Sequence, residues 1–335
     1  MTHDEIIRHL ESPDPRELFA EADRVRRSVV GDEVHLRGLI EFSNVCARDC
    51  LYCGLRRSYN GVKRYTMSLE EIFTAVRDAA GIGYPSVVLQ SGESAQYSVA
   101  DIGGLVRRIK SELGVAVTLS IGEKTRAEYA ALKESGADRY LLRFETSSEV
   151  LFRELKPDSS RMARMQCLAW LREVGFQVGS GVMVGLPGQT PAMIADDILL
   201  MQALDLDMIG IGPFIANPHT PLGDRKSGTL DLTLRTVALL RIITRNTHIP
   251  ATTAMGSIEQ GGREKALACG ANVLMPNVTP TQYRSHYQLY PGKICIKDQP
   301  GDCSLCVAAM LGRMGRRVAA GPGHSLKPRT RDGGV

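Results

Sequence analysis

The stretch Gly38-Leu-Ile-Glu-Phe-Ser43 is a short apolar run that ends in a polar residue, and a longer amphipathic stretch follows it. The same unit recurs along the chain, and eight such runs can be distinguished. They span residues 38–43, 86–90, 116–120, 139–145, 178–184, 208–214, 249–255 and 272–278. Such regular alternation of strand and helix favours an α/β fold of the (β/α)8 TIM barrel type over a doubly wound sheet.

Glycines after several of the helix-like stretches support this division. They stand at positions 81, 114, 136, 175 and 270, and glycine is the residue that most often ends a helix in the left-handed conformation. Ser68 and Glu71 have the spacing of a capping box at the start of one helix. We expect N-terminal helices over residues 1–37, the barrel over 38–311 and a C-terminal extension over 312–335 that is a mobile, basic, Gly- and Arg-rich tail.

The 335 residues have the composition of an ordinary globular protein, with 43% hydrophobic and 23% charged residues. A formal net charge of +4 is too small to indicate nucleic-acid binding. The longest apolar stretch, residues 194–216, contains four aspartates and falls short of the ~18 apolar residues that a membrane span needs. The N-terminus carries Asp4 and Glu5 where a secretory signal would carry positive charge. The sequence therefore predicts a cytoplasmic protein without nucleic-acid or membrane partners.

Three cysteines follow the first apolar run, in the stretch Cys46-Ala-Arg-Asp-Cys50-Leu-Tyr-Cys53. In a chain this long, cysteines clustered on one loop indicate metal or redox chemistry rather than a disulfide framework. A structural zinc site needs four ligands, and no histidine lies nearby in the sequence to complete one. Three thiolates can instead each bind one iron of a cubane [4Fe-4S] cluster and leave the fourth iron open to a chelating molecule. Scattered buried cysteines and a zinc site remain the alternatives.

The spacing of these cysteines, with Tyr52 before the last one, resembles the signature of the radical S-adenosylmethionine (SAM) superfamily. The resemblance implies that the amino and carboxylate groups of SAM chelate the open iron. It also implies that reduction of the cluster splits SAM into methionine and a 5′-deoxyadenosyl radical. A barrel interior suits this chemistry because it keeps water away from a radical.

Further motifs are similar to the SAM-binding motifs of the superfamily. Gln90-Ser-Gly-Glu93 follows the second run and is similar to a Gly-Gly-Glu motif that meets the SAM amino group, with Ser91 in place of the first glycine. Glu145 and Arg164 match residues that hold the ribose or amino group and the carboxylate, and the loop 181–189 matches one that contacts adenine. The SAM contacts that the resemblance implies are Tyr52, Gln90, Ser91, Gly92, Glu93, Glu145, Arg164, Met183 and Gln189.

Six stretches are similar to the HydE family, which helps assemble the active-site cluster of [FeFe]-hydrogenase. They are residues 41–46, 50–57, 89–93, 208–215, 249–256 and 287–293. The resemblance implies a small organometallic substrate, an iron-bound cysteine that carries carbon monoxide and cyanide. It also implies other hydrogenase maturases as partners and a ferredoxin or flavodoxin as electron donor. Phe144 departs from the family, in which histidine often stands at this position.

Arg143, Thr252 and Thr253 stand at predicted strand ends, where a guanidinium and two hydroxyls could bind a carboxylate or cyanide. A structural ion pair between Arg143 and Glu145 is the alternative interpretation. By resemblance, four more residues line the substrate cavity: Met208, Met275, Tyr287 and Tyr290.

Cys295, Cys303 and Cys306 form a second set, which is similar to an accessory iron–sulfur site, [2Fe-2S] or [4Fe-4S], in some members of the family. Zinc binding, or no ligand at all, is the alternative. Cys167 and Cys269 lie in helix-like stretches, and we expect both to be inert core residues.

Other functions stay open on the sequence alone. A radical SAM enzyme that acts on a free amino acid or cofactor precursor, as in methylornithine or biotin synthesis, shares the same barrel and cysteine spacing. A non-catalytic iron–sulfur scaffold would keep the cysteines and dispense with SAM. A structural zinc protein would bind neither.

Overall fold

The structure is a computed structural model, and it describes residues 1–297 and 300–328, without the side chains of Pro300, Asp302 and Cys303. The helices are α1 (His3–Glu11), α2 (Arg16–Val30), α3 (Leu69–Gly81), α4 (Val99–Leu113), α5 (Arg126–Glu134), α6 (Glu149–Leu155), α7 (Arg161–Glu173), α8 (Pro191–Ala203), α9 (Leu230–Thr244), α10 (Thr253–Ile258), α11 (Gly262–Ala268), α12 (Thr281–Arg284) and α13 (Pro300–Arg313). The strands are β1 (Glu33–Leu36), β2 (Gly38–Ser43), β3 (Ser86–Ser91), β4 (Ala116–Ser120), β5 (Arg139–Leu141), β6 (Gln177–Val184), β7 (Met208–Pro213), β8 (Val273–Leu274) and β9 (Arg317–Val318).

Six parallel strands form the main sheet, in the order β2-β3-β4-β5-β6-β7. Single parallel bridges continue it from Met208 to His248, from Pro250 to Val273 and from Asn277 back to Leu39. The amide of Val278 donates to the carbonyl of Leu39 at 2.9 Å, which joins the last position to the first strand. The ring therefore has eight positions, and the predicted TIM barrel is confirmed.

Three of the eight predicted strands are markedly shorter than the sequence suggested, and one of them, the run 139–145, contributes only β5 and a bridge at Glu145. The run 249–255 contributes only bridges around Pro250 before α10 begins, and the run 272–278 contributes β8 and one bridge at Asn277. Pro250 and Pro276 lack an amide hydrogen and cannot donate to a ladder. These two positions therefore cannot carry an uninterrupted strand.

The barrel strands are buried because helices cover their outer faces. Every residue of β2, β6 and β7 is buried, as expected for parallel strands covered on both sides. The predicted capping box at Ser68 and Glu71 is present at the start of α3. Cys167 lies buried on α7 and Cys269 lies buried at the end of α11.

The sequence predicted helices in the N-terminal segment without their number; the structure has two helices there and one strand that was not predicted. Helix α1 packs against α8, and α2 packs against α9. Strand β1 then forms a small parallel sheet in the order β8-β1-β9. None of the helices among the described residues has the length and apolar character that crossing a membrane requires.

The described part of the tail is held against the barrel, in contrast to the mobile tail that the sequence suggested. Strand β9 pairs with β1, and Arg316 donates to the carbonyls of Leu267 and Ala271 at 2.9 and 3.0 Å. The carbonyl of Gly323 accepts from Arg37 and from Arg139, each at 3.1 Å. Because Arg37 precedes β2 and Arg139 begins β5, the tail covers the N-terminal end of the strands. Residues 329–335 lie outside the described part.

Candidate active site

The three clustered cysteines lie on the loop that follows β2, at the C-terminal end of the barrel strands. All three are free thiols. The amide of Arg48 donates to Cys46 Sγ and that of Leu55 donates to Cys53 Sγ, each at 3.4 Å. Burial raises the pKa of Cys50, and burial together with the nearby Cys50 raises the pKa of Cys53 to about 12. A bound cationic centre would reverse this effect, since metal coordination deprotonates thiols.

A single arginine organises the backbone of this loop. Arg64 Nη1 donates to the carbonyls of Asn44 and Leu55 at 2.7 and 2.9 Å, and Nη2 donates to those of Arg56 and Tyr59 at 2.8 and 3.1 Å. One guanidinium thus fixes carbonyls on both sides of the cysteines. Sequence reasoning missed Arg64, because its partners are carbonyls that only the folded loop brings together.

The predicted Gln90-Ser-Gly-Glu93 motif meets the cysteine loop at the end of β3. The amide of Ala47 donates to the Glu93 carbonyl at 2.7 Å. A Cβ atom on Gly92 would lie 2.2 Å from the Val45 carbonyl oxygen, so only glycine allows this approach. The Ser91 hydroxyl donates to the carbonyl of Gly92 at 2.8 Å. The two motifs are therefore one packed unit.

Four charged side chains form an alternating cluster beside this unit. Arg48 Nε donates to Glu93 Oε1 at 2.5 Å, and Arg48 Nη2 donates to Glu123 Oε2 at 2.9 Å. Arg164 lies 2.9 Å from Glu123 Oε1 and 3.9 Å from Glu93 Oε2. The structure therefore brings the predicted Glu93 and Arg164 together. Glu123, which sequence reasoning missed, follows the end of β4 as Glu93 follows β3, and that position was an available signal.

Glu145 combines an unusual backbone conformation with a buried side chain. Its backbone is left-handed, with φ of 68°, a conformation that costs energy for any residue with a side chain. Arg143 Nη2 lies 3.0 Å from Glu145 Oε2 and donates to the Val182 carbonyl at 2.7 Å. The ion pair that the sequence left as an alternative is therefore present. Even so, Glu145 Oε2 and Arg143 Nε are buried without a hydrogen bond.

Tyr52 and Met183 belong to a small apolar cluster beside the cysteine loop. Its other members are Leu151, Leu155, Leu186, Met193, Phe214, Ala216 and Leu222. Burial raises the pKa of Tyr52 well above its usual range, and the nearby Glu145 carboxylate adds to the shift. Tyr52 is thus set between an apolar wall and the charged groups of the site.

The side chain of Gln189 contacts the backbone of the loop on which it lies, residues 181–189. Its Oε1 accepts from the amides of Gly185 and Leu186 at 2.7 and 3.2 Å, and its Nε2 donates to the Met183 carbonyl and to Asp197. These contacts shape the loop and join it to α8 through Asp197. The predicted contact to adenine would therefore fall to the loop's backbone and apolar side chains rather than to the Gln189 amide.

The predicted substrate residues divide into two groups. Tyr287 accepts from Gln90 Nε2 at 3.1 Å, Thr252 donates to the Ile211 carbonyl at 3.0 Å, and Thr253 begins α10 directly after. Burial raises the pKa of Tyr290 above its usual range, with the Glu41 carboxylate nearby. These residues lie around the C-terminal end of the barrel strands, the end that carries the cysteine loop.

Met208 lies at the opposite end, which corrects the prediction that it lines the substrate cavity. It is the first residue of β7, and its Sδ lies 2.7 Å from Arg37 Nη1. Both lie at the N-terminal end of the barrel strands, which we call the barrel floor. The run 208–214 was identified correctly, but its direction places the first residue away from the cysteines. Met275 follows β8 and is partly exposed. Phe144 is a fully buried core residue.

The second cysteine set cannot be assembled from the described residues. Cys295 lies in an irregular segment with φ of 61°, and Cys306 is exposed on α13. The side chain of Cys303 lies outside the described part of the chain. An accessory cluster at these three residues stays a prediction.

The residues at the first set fit a cubane cluster and SAM. Across residues 1–297 and 300–328, excluding the undescribed side chains, no three His, Cys, Asp or Glu side chains meet as they would around one metal ion. A cubane does not require this, since each thiolate binds a different iron atom. The buried Glu145 oxygen without a hydrogen bond leaves an acceptor for a zwitterionic cofactor, and the buried Arg143 nitrogen without a hydrogen bond leaves a donor for a second small ligand.

Comparison with known proteins supports the same class. The Radical SAM superfamily profile matches residues 40–201. The chain is 54% identical over 300 residues to the [FeFe] hydrogenase maturase subunit HydE of Thermotoga maritima, covering 90% of this chain and 86% of that protein. It is 29% identical over 268 residues to 3-methylornithine synthase of Methanosarcina acetivorans, covering 79% and 75%. The crystal structure of methylornithine synthase (PylB) matches with a TM-score of 0.83 at 26% identity, covering 95% of this chain and 94% of that one.

The barrel and its cysteine loop together define a radical SAM enzyme. The family that the sequence resembled is confirmed by the relative that covers nine-tenths of the chain. Within the radical SAM class, this chain belongs to the HydE family.

Proposed function

We propose that this protein is a radical SAM maturase of [FeFe]-hydrogenase. The cysteine loop at the mouth of the barrel carries the proposal, supported by 54% identity to a HydE maturase. When bound, the [4Fe-4S] cluster and SAM supply reductive cleavage of a sulfonium and a 5′-deoxyadenosyl radical. The protein's task is to hold both groups, to hold a substrate beside them and to keep water out.

Each part of this task falls to residues of the site. Cys46, Cys50 and Cys53 would bind three irons of the cluster. Arg164 is buried and already neutralised in part by acids, so its guanidinium would position the SAM carboxylate without bringing an unpaired charge into the site. The Glu145 oxygen that has no hydrogen bond would accept from the ribose hydroxyls or the amino group.

The substrate of the proposed reaction is small and anionic, an iron-bound cysteine with carbon monoxide and cyanide. Arg143 supports this choice because its buried Nε has no hydrogen-bond partner and would donate to a carboxylate. Thr252 donates its proton to the Ile211 carbonyl, so its oxygen is left as an acceptor. Tyr287 and Tyr290 would close the cavity above the ligand. Thr253 and Met275 would form the remaining wall.

The reaction also needs partners outside this chain. A low-potential ferredoxin or flavodoxin would supply the electron, and other maturases would supply the substrate and accept the product. We place these steps in the cytoplasm, where the thiols stay reduced.

Hydrogenase activation in a defined mixture tests the proposal. The protein is reconstituted with iron and sulfide without oxygen, and a mixture of the other maturases and metal-free hydrogenase is assayed with and without it. Hydrogenase activity should depend on this protein, and Cys50→Ala should abolish both activation and 5′-deoxyadenosine formation. Iron-free wild-type protein after reconstitution, or equal activity with Cys50→Ala, would contradict the proposal.

Rearrangement of a free amino acid is the second candidate. Similarity to 3-methylornithine synthase over most of the chain favours it. Lysine offered as the only substrate distinguishes the two functions, since methylornithine should form only if this candidate is correct. Reconstituted protein that cleaves no SAM and binds none would instead indicate an iron–sulfur scaffold.

A further inference from the structure

A buried ion pair that the proposed reaction does not use lies beside the substrate cavity. Glu41 is on β2, the strand that leads into the cysteine loop, and Lys293 Nζ contacts its Oε1. The two side chains are 1% and 6% exposed. Asn277 Nδ2 donates to the other Glu41 oxygen at 3.0 Å, and Lys293 also donates to the Tyr287 carbonyl at 3.2 Å.

Lys293 ends a segment without regular structure that crosses the mouth of the barrel. We call residues 286–293 the mouth segment. The carbonyl of His286 accepts from Asn44 Nδ2 at 2.7 Å, and that of Leu289 accepts from the Gly54 amide at 2.9 Å. A Cβ atom on Gly54 would lie 2.2 Å from the Gln288 carbonyl oxygen. The mouth segment therefore rests directly on the cysteine loop.

Stability alone does not explain this ion pair. The desolvation of two buried charges commonly equals or exceeds their attraction, and apolar or neutral replacements are often at least as stable. What the pair provides is a fixed position. The Lys293 ammonium lies 5.1 Å from the centre of the Tyr287 ring and contacts the backbone of the same residue. It therefore holds Tyr287, and Lys293 itself ends the stretch that contains Tyr290.

We propose that Lys293, through Glu41, is a positioning residue that holds Tyr287 and Tyr290 over the substrate cavity and so sets the substrate against the site of radical formation. This inference rests on the proposed function. It assigns no contact to the cluster or to SAM. Loss of the pair should therefore separate SAM cleavage from productive use of the radical.

A neutral double variant tests the proposal without leaving a buried charge unpaired. Glu41→Gln with Lys293→Met removes both charges, keeps similar side-chain sizes and keeps an oxygen for Asn277. Lys293→Arg is the matched control, because it retains the cation. Each reconstituted protein is assayed for iron content, 5′-deoxyadenosine formation and hydrogenase activation. Hydrogen exchange of the Gly54 amide, which donates to the mouth segment, provides a readout that does not depend on turnover.

The double variant should keep its iron and cleave SAM within about twofold of wild type, while hydrogenase activation falls at least about tenfold. Its Gly54 amide should exchange at least about tenfold faster. The single variant Lys293→Arg should retain at least half of the wild-type hydrogenase activation. Unchanged exchange at Gly54, unchanged activation, or parallel loss of iron and SAM cleavage would overturn the proposal. If wild type itself fails to activate hydrogenase, the proposed function fails, and exchange at Gly54 alone still decides the role of the pair.

Discussion

Arg48 joins the cysteine loop to Glu93, with Nε 2.5 Å from Oε1. The same guanidinium reaches Glu123, which in turn pairs with Arg164. A residue between the first two cysteines thus determines the position of the acid at the end of β3. It also sets, through Glu123, the position of the buried arginine on α7.

Replacement of Arg48 should therefore weaken SAM binding without emptying the cluster site. In Arg48→Met, Glu93 and Glu123 lose their shared cation and Arg164 is drawn toward both acids. We expect the affinity for SAM to fall by about tenfold or more, measured by equilibrium binding to the reconstituted protein. Arg57→Met, at an exposed position of the same loop, is the control. Equal affinities in the two variants would contradict the role of Arg48.

Gly92→Ala should prevent the cysteine loop from adopting its position. The added methyl would lie 2.2 Å from the Val45 carbonyl, and backbone must move to relieve the clash at a cost of about 1–3 kcal/mol. We expect bound iron after reconstitution to fall by at least about half, measured by iron and protein analysis. Gly81→Ala is the matched control, since its methyl would meet open space at the end of α3. Full iron loading of Gly92→Ala would contradict the packing argument.

Asp197 should make stability depend on pH. Burial raises its pKa to about 6, although Ser147 and Gln189 donate hydrogen bonds to it. Because the folded pKa exceeds the unfolded value of 3.8, the folded state binds the proton more tightly. The resulting stabilisation is present in full below pH about 4 and is lost as pH rises through about 6, a change of about 3 kcal/mol.

Urea unfolding of wild type and Asp197→Asn between pH 4 and 7 measures this effect. The difference in unfolding free energy between the two proteins should shift against wild type as pH rises, because the asparagine does not titrate. A difference that stays constant over this range would show that the pKa of Asp197 is not raised.

Met208 should matter for the barrel floor and not for turnover. Met208→Leu keeps the side-chain volume, so we expect a loss of stability below about 1.5 kcal/mol and unchanged hydrogenase activation. Tyr290→Phe, at the mouth, should reduce activation several-fold. Both variants are compared in the activation assay and by thermal unfolding. If Met208→Leu reduced hydrogenase activation at unchanged stability, Met208 would line the substrate cavity and the correction made above would be wrong.

The fold could be predicted from the sequence because buried parallel strands consist of nearly continuous runs of apolar residues. Gly38–Ser43 and Val178–Val184 match β2 and β6 closely for this reason. The two weakest predictions both contain proline, at Pro250 and Pro276, and the missing amide was visible in the sequence. The described part of the tail, residues 312–328, differs from the prediction because glycine and arginine suggest mobility, whereas Arg316 finds its carbonyl partners only in the folded chain.

The site was predictable where a motif carries it and not where tertiary contacts build it. The cysteines and Glu93 follow strand ends and have characteristic spacing. Glu123 also follows a strand end, that of β4, so the same criterion predicts it as a site residue. Arg64 binds carbonyls that only the folded loop brings together, and Lys293 pairs with Glu41, 252 positions away in the sequence. No local pattern could have paired them.

The covering of the barrel floor by residues 312–328 has a consequence for biosynthesis. The Arg316 guanidinium reaches the Asp32 carbonyl across 284 positions, and β1 pairs with β9 near the two ends of the described chain. During translation this floor can be completed only after residues 312–328 have left the ribosome. Until then the barrel floor is open to water, and we expect chaperones to bind a nascent chain that stalls before these residues emerge.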